Sequence, residues 1–377
     1  MRIGIVTGEY PPMRGGVGAY TSILAHQIAA DGHEVHLLSV QGTCSDDIPL
    51  TNHLTRWGMG SLKQAGEWAQ ARKLDILNLQ FQTAAFGMSP WIHFLPDYVR
   101  SIPVVTTFHD LRVPYLFPKA GFLRDWIVMH LARASAGVIV TNQEDAARIQ
   151  HLPRHRLIPI GSNIREALPP GYNPAVWRER AGAAPDSFLI AYFGLMNRSK
   201  GLETLLSSIS ALRDTGVPVR LLIIGGEAGS SDLTNTRYMA DIDRLIEQHN
   251  LSDHIHRTGF LDNEIEVGSF LKASDVVALP FLDGASFRRG SLMAAIHYGC
   301  PIVTTMPRVP IPEFAHNHNM LLIPAHDTDS LTRALDQLYR APELRHQLGR
   351  GAEQLAAHFD WQHITASYLD FLAETAG

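Results

Sequence analysis

Four stretches of this chain combine residue types and spacings suited to holding an anion. Gly8-Glu9-Tyr10-Pro11-Pro12-Met13-Arg14-Gly15-Gly16-Val17-Gly18 is a glycine-rich turn between an apolar run and a helical one. Glycines there let a ligand approach backbone N–H groups at a helix N-terminus. The turn is not a dinucleotide fingerprint, because Thr21 stands where the third glycine belongs, and it lacks the Lys-Ser/Thr ending of a P-loop. A tight structural turn is the plain alternative. Gly194-Leu195-Met196-Asn197-Arg198-Ser199-Lys200-Gly201 sets two cations beside exposed backbone, which suits a phosphate or a merely solvated basic turn. Most distinctive is Asp283-Gly284-Ala285-Ser286-Phe287-Arg288-Arg289-Gly290-Ser291-Leu292. Small residues, a helix start and two guanidinium forks make an anion cradle, and adjacent arginines point apart, so at most one faces the ligand. His109-Asp110 closes a further apolar run, at the carboxyl edge where open α/β sheets bind ligands, although a lone histidine there is more often a packing or capping residue.

Such groups need a frame to hold them. Short β-rich apolar runs at 3–7, 34–39, 75–81, 104–108 and 138–141 alternate with helix-period segments such as Tyr20, Ile23, Leu24 and Ile28, which stop at Gly32. Continuous apolar runs separated by helices predict a parallel sheet covered on both faces, with ligands at the carboxyl ends of its strands. The pattern pauses over 162–187, where Pro169, Pro170, Gly171 and Pro174 read as a linker. It resumes at 188–194, 220–224, 275–281, 301–305 and 320–323, with helical runs at 202–213 and 331–339, as a second doubly wound α/β domain. A closing run, 361–373, places Trp361, Ile364, Tyr368, Leu369 and Leu372 roughly on one face, and periodicity alone would let it cap the second domain.

A length of 377 residues suits two domains, and 45% hydrophobic against 18% charged residues provides two cores with no mark of disorder. Net charge is −5. Residues 1–165 hold 15 basic and 12 acidic side chains, which is far from the clustered basic face that nucleic acid requires and only mildly favourable to an anionic acceptor or lipid surface. Cys44 and Cys300 cannot build a disulfide framework and fit a reducing compartment. No run is long and apolar enough to span a membrane, and the opening residues read as a buried strand rather than a signal-peptide core. A cytoplasmic protein is the expectation, with a peripheral seat at the inner face of the membrane as its variant. His254/His256 and His316/His318 lack acidic or thiol partners at metal-ligand spacing.

In order along the chain, these motifs resemble glycosyltransferase family 4. The resemblance rests on Ile3-Gly4-Ile5-Val6-Thr7, Pro11-Pro12, Gly15-Gly16-Val17-Gly18, Thr107-Phe108-His109-Asp110 and Phe193-Gly194 with Lys200-Gly201. It continues through Thr258-Gly259-Phe260, Ala273-Ser274-Asp275-Val276, Gly299-Cys300-Pro301-Ile302-Val303 and Phe359-Asp360-Trp361, and so covers nearly the whole chain. It implies the GT-B fold, two facing Rossmann-like domains with an interdomain cleft: an acceptor domain over 1–165 and a donor domain over 166–360, with 361–377 packing back on the first. It also implies metal-free, cofactor-free transfer of a sugar from a nucleoside diphosphate donor, a UDP-sugar favoured over a GDP-sugar, with retention at the anomeric carbon. The glycine loop maps onto Gly15, Gly16 and Gly18 near the reacting sugar, the donor-positioning histidine onto His109, and the diphosphate-holding lysine onto Lys200.

The chain departs from the family at two places. Leu195 stands where an arginine usually follows the glycine, and Ser286 and Ala294 stand where two glutamates usually touch the donor sugar and ribose. The Ser-x-Arg-Arg-Gly-Ser-Leu loop resembles a subgroup with a rebuilt donor site. Catalytic candidates are therefore His109, Lys200, Arg288 and Arg289, one arginine clamping the diphosphate and the other anchored by Asp283. Gly16, Gly18, Gly194, Gly284, Ser286, Gly290 and Ser291 complete the donor side. Glu9, Tyr10, Arg14, Gln80, Gln82 and Thr83 are acceptor-side candidates, the acceptor being a glycan, a lipid-linked glycan or a small molecule. Residues 115–134, with Phe117, Phe122, Trp126, Lys119, Arg124 and Arg133, suit either a membrane surface or a partly buried helix. A non-catalytic sugar-nucleotide or glycan binding protein is the alternative, and oligomeric state is left open.

Overall fold

The computed structural model describes every residue except Arg14, 112–120, Glu166, Leu195 and 227–232, and omits the side chains at 121, 122, 124 and 233–237. The chain forms two compact units, Met1–Asn163 with Asp360–Gly377, and Ile164–Phe359.

The first unit is built on strands β1 (Arg2–Thr7), β2 (Glu34–Val40), β3 (Leu50–Leu54), β4 (Ile76–Phe81), β5 (Val104–Phe108), β6 (Gly137–Val140) and β7 (His155–Leu157). They form one sheet in the order β3-β2-β1-β4-β5-β6-β7, and every neighbouring pair is parallel. The second unit contains β8 (Phe188–Phe193), β9 (Val219–Ile224), β10 (Ile255–Gly259), β11 (Val276–Leu279), β12 (Ile302–Thr305) and β13 (Leu321–Ile323), in the parallel order β10-β9-β8-β11-β12-β13. Both are doubly wound Rossmann-like sheets, as the apolar runs predicted.

Strands β3, β7 and β10 were not legible in the sequence. All three are edge strands that keep part of their surface in water, so their residues do not form a continuous apolar run. The predicted linker also differs. Pro174, which read as an interruption, begins helix Pro174–Arg180, where the side chain of Asn173 accepts from Ala175 N. A missing N–H costs nothing in the first turn of a helix. Trp177 anchors that helix edge-on to Phe270 at 5.0 Å.

The closing helix, Trp361–Ala376, packs on the sheet of the first unit. Trp361, Ile364, Tyr368, Phe371 and Leu372 share a core with Ile3, Ile5, Leu24, Ile28, Val105 and Ile139. Gly137 on β6 leaves room for it, since a Cβ there would meet the Phe371 ring at 3.0 Å. Trp361 Nε1 donates to Ser162 O at 2.8 Å, and Arg156 pairs with Glu374 at 2.8 Å. Five buried apolar side chains, each contributing about 1.5–3 kcal/mol, fix the helix there. Among the described residues no helix is long and apolar enough to cross a membrane.

Candidate functional site

In each sheet the strand order reverses once, between β1 and β4 and between β8 and β11. The loops leaving these paired strands diverge to opposite faces and open a crevice at the carboxyl ends, the usual ligand position in such sheets. The sequence motifs lie on those loops or, for His109, on the loop after the adjacent β5.

In the second unit, Lys200 returns across the β8 loop onto Gly194. A Cβ on Gly194 would stand 2.2 Å from Lys200 Nζ and 3.5 Å from Ser291 Cβ, and Gly194 holds φ +124°, so only glycine suits this position. The two loops are tied together where Leu282 N donates to Ser199 O at 2.8 Å, and Gly201 passes so close to the Pro280 carbonyl that a Cβ would sit 2.1 Å from it. Burial, with the repulsion of Arg289, pushes the Lys200 ammonium down to about 8. Arg289 bonds Asp283 and lies over the Phe281 ring at 4.7 Å from its centroid. Arg288 lies 3.6 Å from the other Asp283 oxygen. Asp283 therefore holds both guanidinium groups rather than one, and Arg289 is the one felt by Lys200. Gly284 takes φ +85° against the Met306 carbonyl, Gly290 opens helix Gly290–His297, and Ser291 is buried in its first turn. The Ser286 hydroxyl oxygen is buried with no hydrogen-bond partner among the described residues, and Ala294 is wholly buried. Leu195 lies outside the described residues.

In the first unit, two of the first amides of helix Gly16–Ala30 are taken by the chain itself. Glu9 Oε1 accepts from Val17 N and Gly18 N, both at 3.0 Å, so the chain's own carboxylate occupies the amides that the sequence assigned to a donor. Gly15 and Gly18 serve that closure: a Cβ on Gly15 would stand 2.1 Å from Glu9 Oε1, and one on Gly18 would stand 3.2 Å from the Glu9 backbone. Among the described residues nothing lies within 4 Å of a Cβ added at Gly16. His109 Nε2 lies 2.7 Å from Gln80 Oε1, and the imidazole meets Tyr20 edge-on with centroids 4.9 Å apart. Burial pushes His109 down to about 4, so the ring is neutral at pH 7.

Among the acceptor-side candidates, Gln80 is wholly buried and bonded to Asn78, Tyr368 and His109, and Tyr10 is buried in the core. Neither can touch an acceptor: Gln80 faces inward on β4, and Tyr10, in the loop after β1, is packed into the core beneath it. Thr83 is almost wholly buried, Gln82 is half-buried, Glu9 is committed to the helix, and Arg14 lies outside the described residues. Of the segment 115–134, residues 115–120 also lie outside them. In helix Gly121–Ala134, Leu123 and Trp126 are exposed, whereas Val128, Leu131 and Ala132 are buried.

Residues 175–355 match the family model described as Glycosyl transferases group 1, and residues 14–164 match that described as Glycosyltransferase Family 4. The chain belongs to the GT-B glycosyltransferases. A D-inositol 3-phosphate glycosyltransferase from Saccharomonospora viridis is 31% identical over 214 residues, 55% of this chain and 48% of that protein. The chain thus spans about half the length of the first curated relatives it matches. Sucrose-phosphate synthase from Thermosynechococcus elongatus superposes with a TM-score of 0.76 at 19% identity, covering 99% of this chain and 98% of that one. Anabaena HepE in complex with UDP gives 0.77 at 17% identity, covering 99% and 100%. These likenesses carry the GT-B fold.

Sequence reasoning passed over Asn78, Tyr20 and Tyr368, all placed at or behind His109. A signal was present: Asn78 and Gln80 interrupt the otherwise apolar strand Ile76–Phe81 at i,i+2, and a same-face polar pair inside a buried strand marks a hydrogen-bonded network.

Proposed function

We propose that this GT-B protein transfers a sugar from a nucleoside diphosphate sugar, a UDP-sugar before a GDP-sugar, to a hydroxyl of a glycan, lipid-linked glycan or small molecule, with retention at the anomeric carbon. One observation carries the reading: the Lys200 ammonium lies against Gly194, beside the start of the helix that carries Ser291 and with Arg289 near enough to depress its pKa, at the β8/β11 reversal. A buried ammonium with a guanidinium nearby is costly to keep charged even though Asp283 pairs with that arginine, and a diphosphate relieves that cost. As the glycosidic bond breaks, charge grows on the departing diphosphate, and preorganised cations and N–H groups stabilise it most in the transition state. The acceptor hydroxyl attacks from the same side as the leaving group, so no protein nucleophile takes part.

The names of related proteins support sugar transfer and a UDP donor in turn: sequence relatives are named D-inositol 3-phosphate glycosyltransferases, and HepE is described with UDP and with UDP-glucose. The Ser286–Leu292 loop supports a subgroup whose donor site is rebuilt around arginine in place of paired glutamates. Exposed Leu123 and Trp126 on helix Gly121–Ala134 support a lipid-linked acceptor at a membrane surface. The test is release of UDP or GDP from a panel of nucleotide sugars, each offered with glycan, lipid-linked and small-molecule acceptors. Release of UDP that depends on Lys200 and on an acceptor is the expected result. Tight donor binding with no release under any acceptor would replace the enzyme by a sugar-nucleotide binding protein.

A further inference from the structure

Asn78 and Gln80 lie two residues apart on β4, on the face covered by the closing helix, and both are wholly buried. Polar groups so placed are costly unless bonded, and the sense of each bond here is fixed from one end. The Val105 carbonyl can only accept, so the Asn78 atom 3.2 Å from it is Nδ2, which also donates to Thr107 Oγ1 at 3.1 Å. Asn78 Oδ1 therefore faces Gln80 and accepts from its Nε2. The same Nε2 donates to Tyr368 Oη at 2.9 Å, and the tyrosine hydroxyl in turn bonds Thr107. With its nitrogen committed twice, Gln80 must turn Oε1 toward His109 Nε2. An amide oxygen only accepts, so the proton of the neutral imidazole is on Nε2 and Nδ1 is bare.

The geometry points to Asn78, Gln80 and Tyr368 as positioning residues that hold His109 in its Nε2–H tautomer, so that Nδ1 serves as an acceptor for a hydroxyl of the transferred sugar. The tautomer follows from the buried network alone; the sugar hydroxyl rests on the sugar transfer proposed above. Register places the parts. Gln80 pairs with Thr107 across β4 and β5, and His109 is the next residue on the same face of β5's continuation, so one sheet face carries the network from the core to the carboxyl edge. Tyr368 reaches it from the far end of the sequence because the closing helix belongs to this unit. A neutral acceptor also gives a selectivity: the sugar must present a hydroxyl that donates, and a donor with hydrogen or fluorine there forgoes the interaction.

The experiment is nitrogen-15 NMR of the unliganded, histidine-labelled full chain, with the His109 signals identified by their loss in His109→Ala. The parent spectrum is expected to show one protonated nitrogen, Nε2, with its proton protected from exchange, and a bare Nδ1 at pH 7. Gln80→Met should lose that protection. A parent spectrum with Nδ1 protonated, or with the tautomers mixed, overturns the proposal without any substitution being needed. In UDP-release assays, Gln80→Met should lower kcat about ten- to a hundredfold, the range expected for a misplaced reacting group, with Tyr368→Phe lowering it less. Neither should lower kcat further in a His109→Ala background. Equal losses with and without His109 would reduce both residues to packing. If no nucleotide sugar is turned over, the sugar-transfer reading fails while the tautomer remains decided by the spectrum.

Discussion

Replacing Gly194 with alanine separates what the fold requires from what the ligand requires. The position holds φ +124°, where a side chain costs about 1–3 kcal/mol, and the added Cβ would stand 2.2 Å from Lys200 Nζ. Because Nζ is the free end of a flexible chain, it moves rather than the backbone, by about 1 Å if ordinary contact is to be restored. With an effective dielectric constant of about 20, the attraction of an ammonium to a unit of phosphate charge falls from about 5.5 kcal/mol at 3 Å to about 4.2 kcal/mol at 4 Å. That difference is about tenfold in affinity. UDP titrated calorimetrically into the parent and Gly194→Ala should therefore show about a tenfold weaker Kd, alongside a lower melting temperature. In a Lys200→Met background the same glycine substitution should still lower the melting temperature but should no longer affect UDP binding, since the two residues act through one contact. Unchanged UDP affinity in Gly194→Ala, or a tenfold loss that persists without Lys200, would refute the placement of the ammonium at the phosphate.

Lys200 is depressed to about 8 by burial and by Arg289, so it is charged below that pH; UDP affinity should fall about tenfold per pH unit above 8, and a flat profile to pH 9.5 would exclude it as the phosphate cation. Arg289→Ala should raise the lysine's pKa and move that break upward, whereas Arg288→Ala should leave it in place. His93 and His109 are both held at about 4 by burial against an ordinary 6.5, so the unfolded chain binds more protons between those values. Stability should be full above pH 6.5 and fall by up to about 3 kcal/mol per histidine as pH drops to 4; urea midpoints of His93→Gln and His109→Gln should each lose about half of that slope. Glu9→Ala should cost about 1 kcal/mol in urea unfolding by uncapping helix Gly16–Ala30, and a value within error of the parent would deny the capping role.

The central strands of both sheets and the loops that carry Gly194, Lys200 and Asp283–Gly290 could be read from the chain, because buried parallel strands must be continuously apolar and loops at their carboxyl ends must not be. Edge strands β3, β7 and β10 could not, since a strand half in water loses that signature. The sequence likewise marked His109 as a candidate but gave Gln80 to the acceptor. Residue type fixes what a glutamine is able to bond; only packing decides which partners lie within 3 Å. Asn78 is two residues from Gln80 and Tyr368 is 288 residues away, yet both bond the same amide. Glu9 shows the same division: its charge was plain from the sequence, but that it lies on Val17 N and Gly18 N, occupying the helix end itself, follows from how the β1 loop folds back. Local pattern is set by neighbours in the chain and survives into the sequence, whereas the partners of a buried polar group are chosen by long-range packing, which brings together residues that the sequence keeps far apart.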